Sequence, residues 1–188
     1  MAIADAVRAL EGKFKILAKT EFRGETTLTI EREAIHDLAF FCRDNLGFTY
    51  LVDISSVDYF GEEPRFEMVY ELVQFEKNEH LRVKFRVSED DLTVPTVSDV
   101  WPTADWHERE VFDMMGIRFN GHPDLRRILM WEGYPYYPLR KDFPLAGRPS
   151  DVPGVAFTKA APLEGGPFVT VPSTATTKDR EPRARPLS

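Results

Sequence analysis

Cysteine is nearly absent: Cys42 is the only one in 188 residues. A disulfide framework is thereby excluded, and so is an iron–sulfur cluster held by this chain alone, which takes about four thiolates. No apolar stretch approaches the roughly 18–20 residues of a membrane span. The opening MAIADAVRALEGK has no basic start followed by an apolar run, so no secretory signal is expected, and the chain reads as soluble and cytoplasmic. There is no Gly-rich nucleotide loop, no Ser-His-Asp order and no internal repeat. Excess positive charge is lacking too. The net charge is −7, and residues 1–106 hold 12 basic against 21 acidic side chains, a balance of −9. Nucleic acid and anionic lipid are therefore poor candidates as main partners. Residues 107–148 and 149–188 each stand at +1, with signs interspersed as suits a protein interface.

Proline is scarce in the first two-thirds and abundant afterwards: 11 of 14 lie at or after Pro123. Proline removes the N–H that helices and central strands need. Residues 122–188 are therefore expected to form an extended partner-docking arm, its end disordered when alone. Residues 1–121 are expected to form the body.

The body reads as α+β. Ile3, Ala6, Val7 and Leu10 share a helical face, and Gly12 supplies a stop. Phe14, Ile16, Ala18, Thr20 and Phe22 alternate inward, Arg23-Gly24 turns, and Leu28 and Ile30 return inward as a hairpin. A helix is expected over Arg32 to Asn45, with Ile35, Leu38, Ala39 and Cys42 inward and Gly47 ending it. Strands follow at Tyr50 to Val57, Phe66 to Phe75 and His80 to Val87, rich in β-branched and aromatic residues, with Asn78 in a tight turn. The order αββαβββ implies a two-layer sandwich, a mixed five-stranded sheet with helices on one face. A further helix over 105–115 then opens the most unusual stretch, Trp106 to Gly147.

That stretch is too charged for an interior and too apolar for a free surface. Asp105 is placed to cap its helix and Glu108, three residues on, to complete a capping box. Arg109 and Asp113 stand four apart on one face, suited to an ion pair. His107, Glu110 and His122 invite a reading as metal ligands, but they lack the His-x-x-x-His pairing that holds zinc. Glu108 and Glu110, two apart, face different sides and make a weak acid/base pair. Asp53 and Asp58 read as turn and surface carboxylates, and Trp101 and Trp106 as core or interface anchors.

The run Glu108-Arg109-Glu110, then Asp113-Met114-Met115, then His122, Arg126, Ile128 and Leu129 resembles the signature of the 30 kDa subunit family (the C subunit) of the proton-pumping NADH:quinone oxidoreductase, respiratory complex I. The later run Pro138-Leu139-Arg140-Lys141-Asp142-Phe143-Pro144-Leu145 resembles that family's second block. One departure is visible: Tyr136-Tyr137 stand where the family usually has Gly-His. The resemblance implies a non-catalytic structural and assembly subunit of the peripheral arm, holding no cofactor itself. The complex it implies carries electrons from NADH through FMN and iron–sulfur clusters to quinone and couples this to proton translocation. It implies as partners the quinone-site subunit and neighbouring iron–sulfur subunits, and a peripheral position on the cytoplasmic side of the cell inner membrane. The interface residues expected are Glu108, Arg109, Glu110, Asp113, His122, Arg126, Arg127, Arg140, Lys141, Asp142 and Phe143. Arg140 is expected to be dispensable for the stability of the isolated chain. The alternatives are the same subunit of a ferredoxin- or hydrogenase-linked sister complex and, from another class, a stand-alone hydrolase using the Glu/His cluster.

Overall fold

The computed structural model describes residues 3–144, and expectations for residues 145–188 lie outside the described residues. The first compact unit runs from Met1 to Lys141; of the second, only 142–144 are described.

The first helix, α1 (Ile3–Glu11), buries Ala6, Val7 and Leu10, the face that its sequence spacing predicts. Strands β1 (Ile16–Phe22) and β2 (Glu25–Ile30) form an antiparallel hairpin. Arg23 and Gly24 turn it with φ of 52° and 83°, the double left-handed geometry that matches strand twist. β1 departs from the expected inward alternation. Its register shifts between Ile16 and Ala18, it forms the sheet edge, and Phe22 is 66% exposed. A period-two pattern cannot tell which strand ends up with no layer over it.

A short 3₁₀ turn at Arg32–Ala34 leads into α2 (Ile35–Leu46), which buries Ile35, Leu38, Ala39, Cys42 and Leu46. Gly47, at φ 79°, caps it in the left-handed conformation. Strands β3 (Tyr50–Asp58), β4 (Phe66–Gln74) and β5 (Glu79–Val87) follow, β4 and β5 joined through Asn78 at φ 53°. β5 inserts beside β2 in parallel, giving the order β1-β2-β5-β4-β3 and a mixed five-stranded sheet. The fold class is the one that the element order implies.

One face of the sheet carries Leu28, Ile30, Leu81, Val83, Phe85, Met68, Tyr70 and Leu72, all buried in the core with α1 and α2. Fully burying such a side chain stabilises by about 1.5–3 kcal/mol. Charges alternate with these core positions along the strands. Arg82 pairs with Glu71 and Glu25, Lys84 with Glu67 and Arg86 with Glu62. These pairs are partly solvated and specify register more than they stabilise.

Two further strands, β6 (Thr93–Pro95) and β7 (Arg118–Asn120), pair in parallel as a separate two-stranded sheet. The sequence reading did not predict them: three residues are too few for a periodic signal, and Pro95 ends one of them. Between them lies α3 (Ala104–Met115), packed against β3. Among the described residues no helix is long and apolar enough to cross a membrane.

Candidate partner interface

The α3 helix begins after Thr103 with no side-chain cap, so the expected capping box of Asp105 and Glu108 does not form. Glu108 turns inward instead. It lies on the core stripe Ala104–Glu108–Val111–Met115, at helical spacing, and is fully buried. Its Oε1 accepts the Val97 N–H at 2.7 Å and its Oε2 accepts the Thr96 hydroxyl at 2.5 Å. Burial pushes its carboxyl up to about 7 despite those two bonds, helped by the nearby Asp105 and Asp99 charges. Glu108 thus stitches α3 to the chain leaving β6.

His122 is enclosed beside it, Nε2 4.0 Å from Glu108 Oε2. Its Nδ1 accepts the Asp124 N–H at 3.1 Å, so Nε2 carries the proton and donates to the Asp105 carbonyl at 3.1 Å.

Asp113 is buried as well, but on the side that the following segment crosses. Arg127 donates to Oδ1 at 2.6 Å, and the N–H groups of Ile128, Leu129 and Met130 converge on Oδ2 at 3.0, 2.7 and 2.8 Å. Burial alone would raise this carboxyl; the Met130 N–H, the Arg127 guanidinium and the Leu129 and Ile128 N–H groups together hold it below the usual range. The expected Arg109–Asp113 pair is therefore not made. Arg109 donates to the carbonyls of Arg126 and Arg127, at 3.1 and 3.3 Å, with its guanidinium 5.1 Å from the Trp106 ring. Arg126 is exposed and pairs with Asp124.

The second block also turns back. Arg140 donates to the Met115 carbonyl at 2.6 Å and lies over the rings of Tyr137 and Phe66, at 4.5 and 5.3 Å. Gly116, at φ 80°, ends α3 where a Cβ would meet Arg140 Nη2 at 2.6 Å and the Tyr137 ring at 2.7 Å. Leu139 donates its N–H to the Met114 carbonyl at 3.2 Å. Lys141 donates its N–H to Asp58 at 2.7 Å. Asp58 is not the surface carboxylate expected: it is 6% exposed and receives two bonds of 2.8 Å from the buried Arg65. Arg65 holds its carboxyl below the usual range against burial, with help from the Lys141 N–H. Asp53 is half-exposed, 3.2 Å from His107 Nδ1.

Of the expected interface residues, Glu108, Arg109, Asp113, His122, Arg127 and Arg140 therefore have partners inside the first unit. Glu110, Arg126 and Lys141 are exposed there; in the second unit Asp142 is exposed and Phe143 half-buried. The stretch reads from sequence as too apolar for a free surface, but its leucines were left out of the expected interface residues: Leu129 is 62% and Leu139 55% exposed. Trp106, expected as an anchor, is 60% exposed, whereas Trp101 is in the core and donates to the Phe48 carbonyl at 3.2 Å. The signal for the two leucines was their place among charges and prolines.

Glu108 is buried and Glu110 exposed, and among the described residues no group of three His, Cys, Asp or Glu side chains could hold a metal. Burial raises the Cys42 thiol to about 12, far from a reactive thiolate.

The sequence profile described as "Respiratory-chain NADH dehydrogenase, 30 Kd subunit" matches residues 28–149. The chain belongs to that family. It is 48% identical to the C subunit of NADH-quinone oxidoreductase from Geobacter sulfurreducens over 145 residues, 76% of this chain and 90% of that one. It is 52% identical to the subunit of the same name in Phenylobacterium zucineum over 124 residues, 66% of this chain and 59% of that one. Among solved structures, the trypsin-resistant fragment (1–134) of Nqo5 is similar at a TM-score of 0.57 and 32% identity, covering 66% of this chain and all of the fragment. A chain of an archaeal membrane-bound sulfane sulfur reductase is similar at 0.67 and 26%, covering 77% and 87%. Both signature blocks of the 30 kDa subunit family thus lie inside the matched residues. The Tyr137 ring packs between Gly116, Arg127 and Arg140.

Proposed function

We propose that this chain is a non-catalytic structural and assembly subunit of the peripheral arm of NADH:quinone oxidoreductase, the complex that passes electrons from NADH through FMN and iron–sulfur centres to quinone. The reading is carried by one observation. Inward-turned Asp113 and Arg140 tie a non-regular segment to α3, while Leu129 and Leu139 on that segment and Trp106 on α3 are left facing solvent. A rigidly held, partly apolar loop with charged neighbours is what a protein partner needs.

The finer assignments rest on the same reading. The partners are the quinone-site subunit and neighbouring iron–sulfur subunits, met through Arg109, Glu110, Arg126, Lys141, Asp142 and Phe143 together with the exposed apolar residues. The chain holds no cofactor itself, and it sits peripherally on the cytoplasmic side of the cell inner membrane. The fold alone does not fix the redox reaction of the complex, since a chain of a sulfane sulfur reductase shares it. The 48% identity to an NADH-quinone oxidoreductase subunit favours NADH.

Purification of the native complex through a tag on this chain tests the proposal. Co-purifying flavin, iron–sulfur subunits and NADH:quinone reductase activity are expected. Recovery of the chain alone would refute the proposal, and recovery with a different electron-input module would favour the sister-complex reading.

A further inference from the structure

Between the β3 edge and α3 lies an open cleft of about 160 Å³. Its walls are Val111, Met114, Met115 and Leu139, and its polar groups are Ser56, Glu110 and Asp53. Two features set it apart from an ordinary surface dent. Glu110 is exposed and, among the described residues, has neither an ion pair nor a hydrogen bond. Asp53, the second carboxylate, lies 3.2 Å from His107 Nδ1. Apolar walls leading to negative charge complement a long side chain with a methylene stem and a cationic head.

We infer that this cleft receives a lysine or arginine side chain of a neighbouring subunit, its stem against Met114, Met115 and Leu139 and its head shared by Glu110 and Asp53. Methionine walls adapt to such a stem better than branched side chains do. The acidic balance of the body favours a cationic visitor over an anionic one. The inference rests on the proposal that the chain works inside a multi-subunit complex, and it adds the chemistry of one contact.

The test uses the assembled complex. A photoreactive p-benzoylphenylalanine replaces Leu139, which is 55% exposed at the cleft rim, and the cross-linked peptide is sequenced. In parallel, Glu110→Lys is introduced on the tagged chain. We expect a cross-link to a segment of another subunit that contains Lys or Arg. We expect Glu110→Lys to lower recovered complex at least about ten-fold, because an unpaired charge at a closed contact is costly. The melting temperature of the isolated full chain should stay within about 1 °C, as for exposed substitutions generally. Replacing the cross-linked cation by Glu in the partner should restore assembly of the Glu110→Lys chain. Normal assembly of Glu110→Lys, a cross-linked segment without a cation, or a cross-link to a second copy of this chain would each overturn the inference. The two failures are distinguishable: if the unmodified chain recovers no partner, the assembly proposal falls and the cleft occupant with it; if it does and Glu110→Lys assembles equally, only the cleft occupant falls.

Discussion

The Arg127 guanidinium closes on one oxygen of the Asp113 carboxylate at 2.6 Å while the next three backbone N–H groups converge on the other. A helix residue thereby dictates the path of the chain that follows β7. Turning three successive N–H groups toward one oxygen needs a full negative charge there. Asp113→Asn would remove the charge and set an amide N–H₂ against those donors. The isolated chain should lose about 3 kcal/mol, read from the urea midpoint at pH 7. Because the folded carboxyl lies below its ordinary value, this contribution is present above pH ~3.9 and fades as pH falls through the folded value. Wild type and variant should therefore converge in stability toward low pH; a constant gap would refute the charge argument.

Glu108 titrates in the opposite sense. Its folded carboxyl is raised from 4.5 to about 7, chiefly by burial. Such a group favours the folded state below its unfolded value, and that contribution is lost as pH rises from 4.5 through 7. Glu108→Gln keeps an oxygen for the Val97 N–H and has no charge to desolvate. Between pH 5 and 8 the wild type should lose stability relative to this variant, by about 1–3 kcal/mol, measured as the difference in urea midpoints. Parallel pH profiles would mean that Glu108 is ionised throughout.

Much of this fold was legible in the sequence because it is written in periods. Leu28 and Ile30, the α2 face and the Asn78 turn each follow from spacing or from a residue that accepts positive φ. What escaped depends on where distant segments land. Glu108 does sit on the Ala104–Val111–Met115 stripe, so its burial could have been read, but local charge statistics favoured a cap. Asp58 could not have been read: it is buried only because Arg65 and the Lys141 backbone reach it. The family signature lies in the same charged stretch, so the stretch was recognisable before its geometry was. Several of its charges hold the loop from within, and the surface left for partners is more apolar than the motif suggests.

Gly116 joins both signature blocks. It ends α3 at φ 80°, with Arg140 and Tyr137 packed where a Cβ would stand. Gly116→Ala meets both a backbone conformation that side chains disfavour and a direct overlap. A loss of about 1–3 kcal/mol is expected, visible as a lower melting temperature of the isolated chain. An unchanged melting temperature would mean that the second block does not pack there in solution.

Two substitutions separate holding from docking. Arg140, as an interface residue, was expected to be dispensable in the isolated chain, but its guanidinium bonds the Met115 carbonyl and covers two rings. Arg140→Ala should therefore destabilise the isolated chain by about 1–3 kcal/mol, as loss of a hydrogen bond made by a charged group generally does. Trp106 is 60% exposed, held from one side by Arg109, so Trp106→Ala should leave isolated stability within about 0.5 kcal/mol. In the complex the order should reverse in kind. An aromatic anchor that becomes enclosed at an interface is worth about 2 kcal/mol or more, so Trp106→Ala should cut the yield of assembled complex while each assembled complex turns over quinone normally. Arg140→Ala should reduce yield only in step with its lower stability, and a lower assay temperature should restore it. If Trp106→Ala assembles like the wild type, the docking surface lies elsewhere on the molecule; if it assembles fully but turns over slowly, the chain reaches the chemistry more directly than a structural subunit would.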